Sequence, residues 1–203
     1  MFLLKIAIFL FLLNIFSTAM SDTVTVSSDK NQSSDTSVQQ NIDTDDVTLT
    51  VSGNAQVDDD AKAVYVSSGV SGAAVIVESG STITTTSGDN GIIADTTTLT
   101  DITNSGTISA NKNKAIDIYR TTNSSITNNS GATISSVGNT IRTGGTSGDP
   151  STGYTITNSG KIFSTQTAGK SAVFFGNVNS SGGTITNNSG GEIYSGGTAA
   201  TIK

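Results

Sequence analysis

The sequence predicts an all-β fold: a right-handed parallel β-helix, or solenoid, of about six coils of 25–30 residues that follows a signal peptide. The first observation is a phrase of the type Ile-Thr-Asn-Ser-Gly, which returns four times and begins at Ile102, Ile126, Ile156 and Ile185. With two weaker copies before it, the phrase places its glycines at Gly53, Gly80, Gly106, Gly131, Gly160 and Gly190. A period in this range indicates stacked repeats, because each repeat buries its thin apolar lining against its neighbours.

The second observation is the local character of each repeat. From Val47 onward, short segments rich in Ile, Val and Thr alternate with Gly, Ser and Asn, which favours strands separated by turns. A third, more apolar segment follows each glycine by about ten to thirteen residues, as in Ala63–Val66, Ala115–Ile118 and Ala172–Phe175. No stretch of ten residues in the mature chain has helical periodicity. Three strands per coil predict a parallel β-helix, and the right-handed preference of parallel crossovers predicts its hand.

Alternation within the strands predicts which side chains face inward. The expected inward columns are Ile102, Ile126, Ile156 and Ile185 in one strand, and Ile83, Ile108, Ile134, Ile162 and Ile193 in the next. Four asparagines are expected to stack at one corner and to hydrogen-bond from coil to coil: Asn104, Asn128, Asn158 and Asn187.

The chain divides into three parts. Residues 1–19 are predicted to be a secretory signal peptide, with Lys5 before a short apolar segment and a small-residue cleavage site ending at Ala19. Residues 20–46, rich in Ser, Asp and Gln, are predicted to be a flexible acidic lead-in. Residues 47–203 are the β-helix repeats. Solenoid ends normally carry a polar cap, and the sequence from Ala200 to Lys203 resembles a third strand instead, so we expect the repeats to be truncated at the C-terminus.

Composition excludes several kinds of protein. The chain has no Cys, His or Trp, so it can form neither a disulfide framework nor a Ser-His or Cys-His catalytic pair. From Met20 to Asp101 there are 13 acidic residues and two lysines, which argues against nucleic acid or an anionic membrane as a partner. We therefore expect no enzymatic activity and no cofactor.

The acidic residues offer little chemistry. A glycosidase needs two carboxyl groups within roughly 5 to 9.5 Å of each other, and the repetitive half contains only Asp117, Asp149 and Glu192. Their positions in the repeat keep them apart, so they are predicted to be solvated surface acids. Calcium is the better metal candidate, at Asp58–Asp60 or at Asp43, Asp45 and Asp46, but no calcium-binding repeat occurs and we expect no metal.

Two aromatic residues are the candidate contact site. Where earlier coils have Thr84, Ser109 and Ser135, the last two coils have Phe163 and Tyr194, which are predicted to lie outside on adjacent coils. One interpretation is an aromatic pair that stabilises the sheet, and the other is an exposed patch for a glycan or protein partner. Two residues earlier in each coil, directly before the inward isoleucine, Lys161 and Glu192 are predicted to stack as opposite charges.

The Ile-Thr-Asn-(Asn)-Ser-Gly phrases behind a signal peptide resemble the passenger domains of autotransporters, the type V secreted proteins of Gram-negative bacteria. The resemblance covers Val47 to Lys203 and implies export to the cell surface, outer membrane or medium, with outer-membrane association through a β-barrel that this chain does not include. It favours an adhesive or structural passenger that contacts a glycan or protein of a host or neighbouring cell. The alternatives are a fragment of a β-helical polysaccharide lyase or hydrolase with its site downstream, and an inert surface stalk.

Overall fold

The computed structural model describes residues 39–52, 62–85, 90–146, 149–166, 169–176, 181–198 and 200–203, together with the backbone of 23–26 and 56–58. All regular structure in this part of the chain is β, and its strands stack in parallel as a β-solenoid of about five turns. The predicted all-β parallel solenoid is therefore confirmed, and its right-handed sense stays a prediction. The predicted signal peptide, residues 1–19, lies outside the described residues.

Three parallel sheets form the walls of the solenoid. The first sheet contains β1 (Thr23–Val26), β3 (Thr48–Val51), β6 (Ala74–Val77), β9 (Asp101–Asn104), β12 (Ser125–Asn128), β15 (Thr155–Asn158) and β18 (Thr184–Asn187). The second contains β4 (Gln56–Asp58), β7 (Thr82–Thr85), β10 (Thr107–Ala110), β13 (Thr133–Ser136), β16 (Lys161–Ser164) and β19 (Glu192–Ser195). The third contains β2 (Gln40–Ile42), β5 (Lys62–Val66), β8 (Asn90–Asp95), β11 (Lys114–Tyr119), β14 (Ile141–Gly144) and β17 (Val173–Phe175).

Isoleucine columns form the core, as predicted. Ile126 pairs with Ile102 and Ile156 in the first sheet, and Ile134 pairs with Ile108 and Ile162 in the second. The side chains of these six residues are 0% exposed. Each fully buried aliphatic side chain contributes about 1.5–3 kcal/mol relative to exposure, so the columns supply a large share of the stability of each coil. In the last coil, Ile185 and Ile193 continue the columns but are partly buried.

An asparagine ladder closes the corner after the first sheet. Asn104 Nδ2 donates to Asn128 Oδ1 at 2.8 Å, Asn128 Nδ2 to Asn158 Oδ1 at 2.8 Å, and Asn158 Nδ2 to Asn187 Oδ1 at 2.7 Å. Asn104, Asn128 and Asn158 are 0% exposed. The predicted ladder is confirmed, and it holds the register between the coils because each amide must meet the amide directly above it.

The corner before the first sheet uses left-handed backbone. One position in the turn before each first-sheet strand has a positive φ in successive coils. These residues are Asp46 (57°), Gly72 (72°), Leu99 (53°), Asn123 (55°), Gly153 (65°) and Gly182 (67°). A Cβ at Gly153 would overlap the side-chain oxygen of Asn123 in the coil before it, so glycine avoids both this overlap and the cost of a positive φ. Leu99 is the unfavourable member, because a branched apolar residue rarely adopts this conformation.

The sheets extend into the segment that was predicted to be a flexible lead-in. Within residues 20–46, β1 pairs with β3, and β2 pairs with β5. Ile42 is 2% exposed and belongs to the core. The solenoid therefore begins before the predicted boundary at residue 47. The repeat phrase missed these strands because neither carries an Asn-Ser-Gly turn.

Candidate interaction surface

The outward side chains of the second sheet form what we call the hydroxyl–aromatic face. The strand register places them in two columns that run across the coils. The first column is Thr82, Thr107, Thr133, Lys161 and Glu192, and the second is Thr84, Ser109, Ser135, Phe163 and Tyr194. The face thus changes from small hydroxyl side chains to aromatic and charged ones between β13 and β16.

Phe163 and Tyr194 lie on the outer face of the second sheet in adjacent coils, as the sequence predicts. Their ring centroids are 5.0 Å apart and the ring planes differ by 1°, so the rings are stacked. Phe163 is half-buried, and Tyr194 is 39% exposed. The aromatic interaction between them adds about 0.5–1.5 kcal/mol beyond area burial. Their role as a contact site stays a prediction, since the same geometry serves sheet stability and recognition.

The hydroxyl part of the face begins directly beside the aromatic pair. Ser135 is the register neighbour of Phe163 on the side away from Tyr194. Ser109 Oγ, in the coil before Ser135, donates to Thr84 Oγ1 at 3.0 Å. Because serine is much smaller than phenylalanine, the surface steps down from the ring of Phe163 to Ser135. The arrangement offers an apolar edge next to hydrogen-bonding hydroxyl groups.

Lys161 and Glu192 pair across the same two coils, as predicted. Lys161 Nζ lies 3.4 Å from Glu192 Oε1, and the two side chains are 53% and 51% exposed. An exposed pair of this kind contributes roughly 0–1 kcal/mol because solvent screens it. It therefore adds charged hydrogen-bonding groups beside the aromatic pair rather than much stability.

Asp117 corrects the prediction that the acids of the repetitive half are solvated. Asp117 points out of the third sheet but is only 3% exposed, because longer side chains cover it. Arg142 Nε and Nη2 each donate to its carboxylate at 2.7 Å, and Lys114 Nζ lies 3.7 Å from it. Asn90 Nδ2 also contacts it at 3.5 Å. Asp149 and Glu192 are exposed, in agreement with the prediction.

A second ion pair extends this cluster on the third sheet. Arg120 donates to both carboxylate oxygens of Asp95, at 2.9 and 2.7 Å, and this hydrogen bonding raises the pKa of Arg120 above its ordinary value. The guanidinium groups of Arg120 and Arg142 lie 5.1 and 4.5 Å from the ring centroid of Tyr119. Both arginines are thus engaged by carboxylates, and the cluster joins three successive coils. Sequence reasoning missed it, although Asp117 and Arg142 occupy equivalent third-strand positions of neighbouring coils.

The acidic residues that were weighed as calcium ligands make other contacts. Ser67 Oγ donates to Asp43 Oδ1, and the Ser71 amide donates to Asp45 Oδ1 at 2.8 Å. Residues 59 and 60 and the side chain of Asp58 lie outside the described residues. Within the described part, no three His, Cys, Asp or Glu side chains are close enough together to hold a metal ion.

No family model, no curated protein and no solved structure matches this chain. Among the described residues there is no helix with the length and apolar character needed to cross a membrane. The geometry of the hydroxyl–aromatic face suits binding by surface contact: a stacked aromatic pair, a row of hydroxyl groups beside it, and one exposed ion pair.

Proposed function

We propose that the chain is an exported, autotransporter-like β-helical passenger without enzymatic activity, and that it makes adhesive contacts through the hydroxyl–aromatic face. The observation that carries the proposal is the pair Phe163 and Tyr194, which is stacked and partly exposed. The same column holds Thr84, Ser109 and Ser135 in earlier coils, where the strands pair equally well. Aromatic side chains are thus not required for the solenoid to form at this position.

The aromatic pair has the properties of a contact site. Two rings held parallel on neighbouring strands are rigid, so binding to them costs little side-chain entropy. Tyrosine and phenylalanine are enriched in recognition surfaces, where an apolar ring body is combined with nearby polar groups. Here those polar groups are the Tyr194 hydroxyl, the exposed pair of Lys161 and Glu192, and the hydroxyl groups beside Phe163. The partner is a glycan or protein on a host or neighbouring cell surface.

Export is supported by the sequence. Residues 1–19 have the charge, apolar segment and small residues of a signal peptide, and the chain has no cysteine. A cysteine-free chain suits passage through a second membrane, because no periplasmic disulfide can form to block it. We place the mature protein at the cell surface, in the outer membrane or in the medium. Mass spectrometry of the exported product tests this, with Met20 as the expected first residue and a retained residue 1–19 as the contradicting result.

The adhesion test compares two double variants that restore residues of the chain's own repeat. The aromatic variant, Phe163→Ser with Tyr194→Ser, introduces the serine found at Ser109 and Ser135 in earlier coils. The charge variant, Lys161→Thr with Glu192→Thr, introduces the threonine found at Thr107 and Thr133. Beads coated with each purified protein are applied to cultured cells and to glycan arrays. The aromatic variant is expected to lose binding, while the charge variant keeps most of it.

Three results would change the proposal. Equal adhesion of wild type and aromatic variant would assign the ring pair to sheet stability alone. Wild-type beads that adhere no better than beads coated with an unrelated protein would support the inert stalk. Depolymerisation of a bound polysaccharide would contradict the non-enzymatic part of the proposal and favour the lyase or hydrolase alternative.

A further inference from the structure

The outward side chains of the first sheet form a second regular surface, which we call the threonine face. Its two columns run across β3, β6, β9, β12, β15 and β18 in direct strand register. Nine of these twelve outward positions hold Thr or Ser, so the face is set by one side-chain type. They are Thr48, Thr50, Thr103, Ser125, Thr127, Thr155, Thr157, Thr184 and Thr186, and the other three are Ala74, Ile76 and Asp101.

The threonine hydroxyl groups of this face are available for binding. Ser125 Oγ donates to Asp101 Oδ1 at 2.6 Å, but the threonine side chains make no hydrogen bond to another described residue. Thr155, Thr184 and Thr186 are exposed, and Thr127 and Thr157 are partly exposed. A β-branched side chain has a restricted χ1 angle, so each hydroxyl and methyl group is held in a fixed direction.

The chemistry of the threonine face does not favour nucleic acid or a protein hot spot as its ligand. Asp101 is the one charged residue among its twelve described positions, and none is aromatic or basic. Nucleic acid requires clustered cations to neutralise phosphate groups. Protein hot spots are enriched in tryptophan, tyrosine and arginine, whereas threonine and serine are under-represented in them. What remains is a neutral array of hydroxyl and methyl groups that repeats in two dimensions.

The array is regular in two directions. Neighbouring strands lie about 4.8 Å apart, and outward residues within one strand lie about 6.6 Å apart, at two residues per repeat. A rigid two-dimensional lattice binds best to a solid whose hydrogen-bonding groups repeat at matching distances, because many weak contacts then form together. Oxygen atoms on the surface of hexagonal ice repeat at similar distances in two perpendicular directions.

We propose that the threonine face binds the surface of ice. The threonine hydroxyl groups take the places of lattice water molecules, and the methyl groups order the water between them. The face is continuous from Thr103 to Thr186 over four successive strands of the first sheet. The asparagine ladder lies one residue beyond it and keeps the rows aligned, since Asn128 and Asn158 directly follow Thr127 and Thr157. This site lies on a different sheet from the hydroxyl–aromatic face and does not depend on the adhesive role.

The test is partition of the purified protein between growing polycrystalline ice and liquid, with thermal hysteresis measured on the same samples. Wild type is expected to enrich in ice and to produce hysteresis. Thr157→Lys places a long charged side chain at the centre of the face and is expected to lose both. Thr133→Lys is the matched control, because it introduces lysine at an outward position of the second sheet whose register partner is already Lys161. Circular dichroism establishes that both variants are folded.

Three outcomes overturn the proposal. If wild type is excluded from ice to the same extent as a non-binding protein, the array does not recognise ice. If Thr133→Lys loses ice binding as fully as Thr157→Lys, binding does not occur through the threonine face. Retention of wild type on microcrystalline cellulose together with exclusion from ice would also refute it, and would assign the array to a solid polysaccharide. The aromatic double variant is expected to bind ice as wild type does, which separates this test from the adhesion test.

Discussion

Removal of Asn128 is expected to destabilise the solenoid far more than removal of Asn187, although both belong to the same ladder. Asn128 is fully buried. Its Nδ2 donates to Asn158 Oδ1 at 2.8 Å and to the Lys161 carbonyl at 3.2 Å. Its Oδ1 accepts a hydrogen bond from Asn104 Nδ2 at 2.8 Å. Asn187 is exposed, so water replaces the bonds that it makes. The comparison therefore sets a buried ladder residue with a partner on each side against an exposed one with a single ladder partner.

The magnitude follows from the partners that remain. Asn128→Ala removes these three hydrogen bonds and a fourth, longer one from Nδ2 to the Ala132 carbonyl at 3.5 Å. Each has a net contribution of about 0.5–1.5 kcal/mol, and buried groups are left without this partner. Asn158 Oδ1 retains the Gly160 amide at 3.2 Å, which limits the loss on that side. We expect the free energy of unfolding to fall by about 2–4 kcal/mol for Asn128→Ala, and by less than about 1 kcal/mol for Asn187→Ala.

The assay is urea denaturation followed by far-UV circular dichroism, with amide hydrogen exchange to locate the loss. With an m-value of about 2 kcal/mol/M, the midpoint should fall by about 1–2 M for Asn128→Ala. Exchange protection should fall first in the coils that contain β12 and β15, because repeat proteins couple mainly to neighbours. Equal midpoints for the two variants would refute the reasoning, since burial of the ladder would then contribute nothing.

Two further changes test the inward and corner positions. Ile134→Asp places an unpaired charge in the fully buried column and should remove the β signal of the surrounding coils. Thr133→Asp places its charge on the outer face opposite Lys161 and should change the free energy of unfolding by less than about 1 kcal/mol. Equal loss of the circular dichroism signal in both variants would show that the inward and outward faces are wrongly assigned. Leu99→Asn should raise the melting temperature, because left-handed backbone costs leucine about 1–2 kcal/mol and asparagine less. Leu99→Ala, which keeps the strain, should not, and a lower melting temperature for Leu99→Asn would contradict the strain argument.

The repeat phrase was sufficient to predict the sheets, the columns and the ladder because each rests on a local rule that recurs. An inward isoleucine two residues before an asparagine marks the same strand in four successive coils, and the structure pairs Ile126 with Ile102 and Asn128 with Asn104. The same reasoning placed Phe163 beside Tyr194 and Lys161 beside Glu192. These predictions needed only the period and the alternation of a strand.

Features outside the phrase were not predictable in this way. β1 and β2 join the sheets through backbone pairing without the Asn-Ser-Gly turn, so their sequences resemble a polar linker. Asp117 is buried by Arg142 and Lys114, and that burial depends on long side chains from neighbouring positions. Leu99 has a positive φ because its neighbours in the stack impose the corner, against its own preference.

The solenoid separates the positions that hold the fold from those that can carry function. The inward columns and the ladder repeat the same residues, because each coil must fit the coil before it. Outward side chains do not have to fit inside the next coil. An outward residue that departs from the repeat therefore has a reason other than the fit between coils. Asp117 and Arg142 have one in their mutual ion pair, which joins neighbouring coils. Phe163 and Tyr194 replace the hydroxyl residues of earlier coils and stack on each other, and the proposed contact role rests on this departure from the repeat.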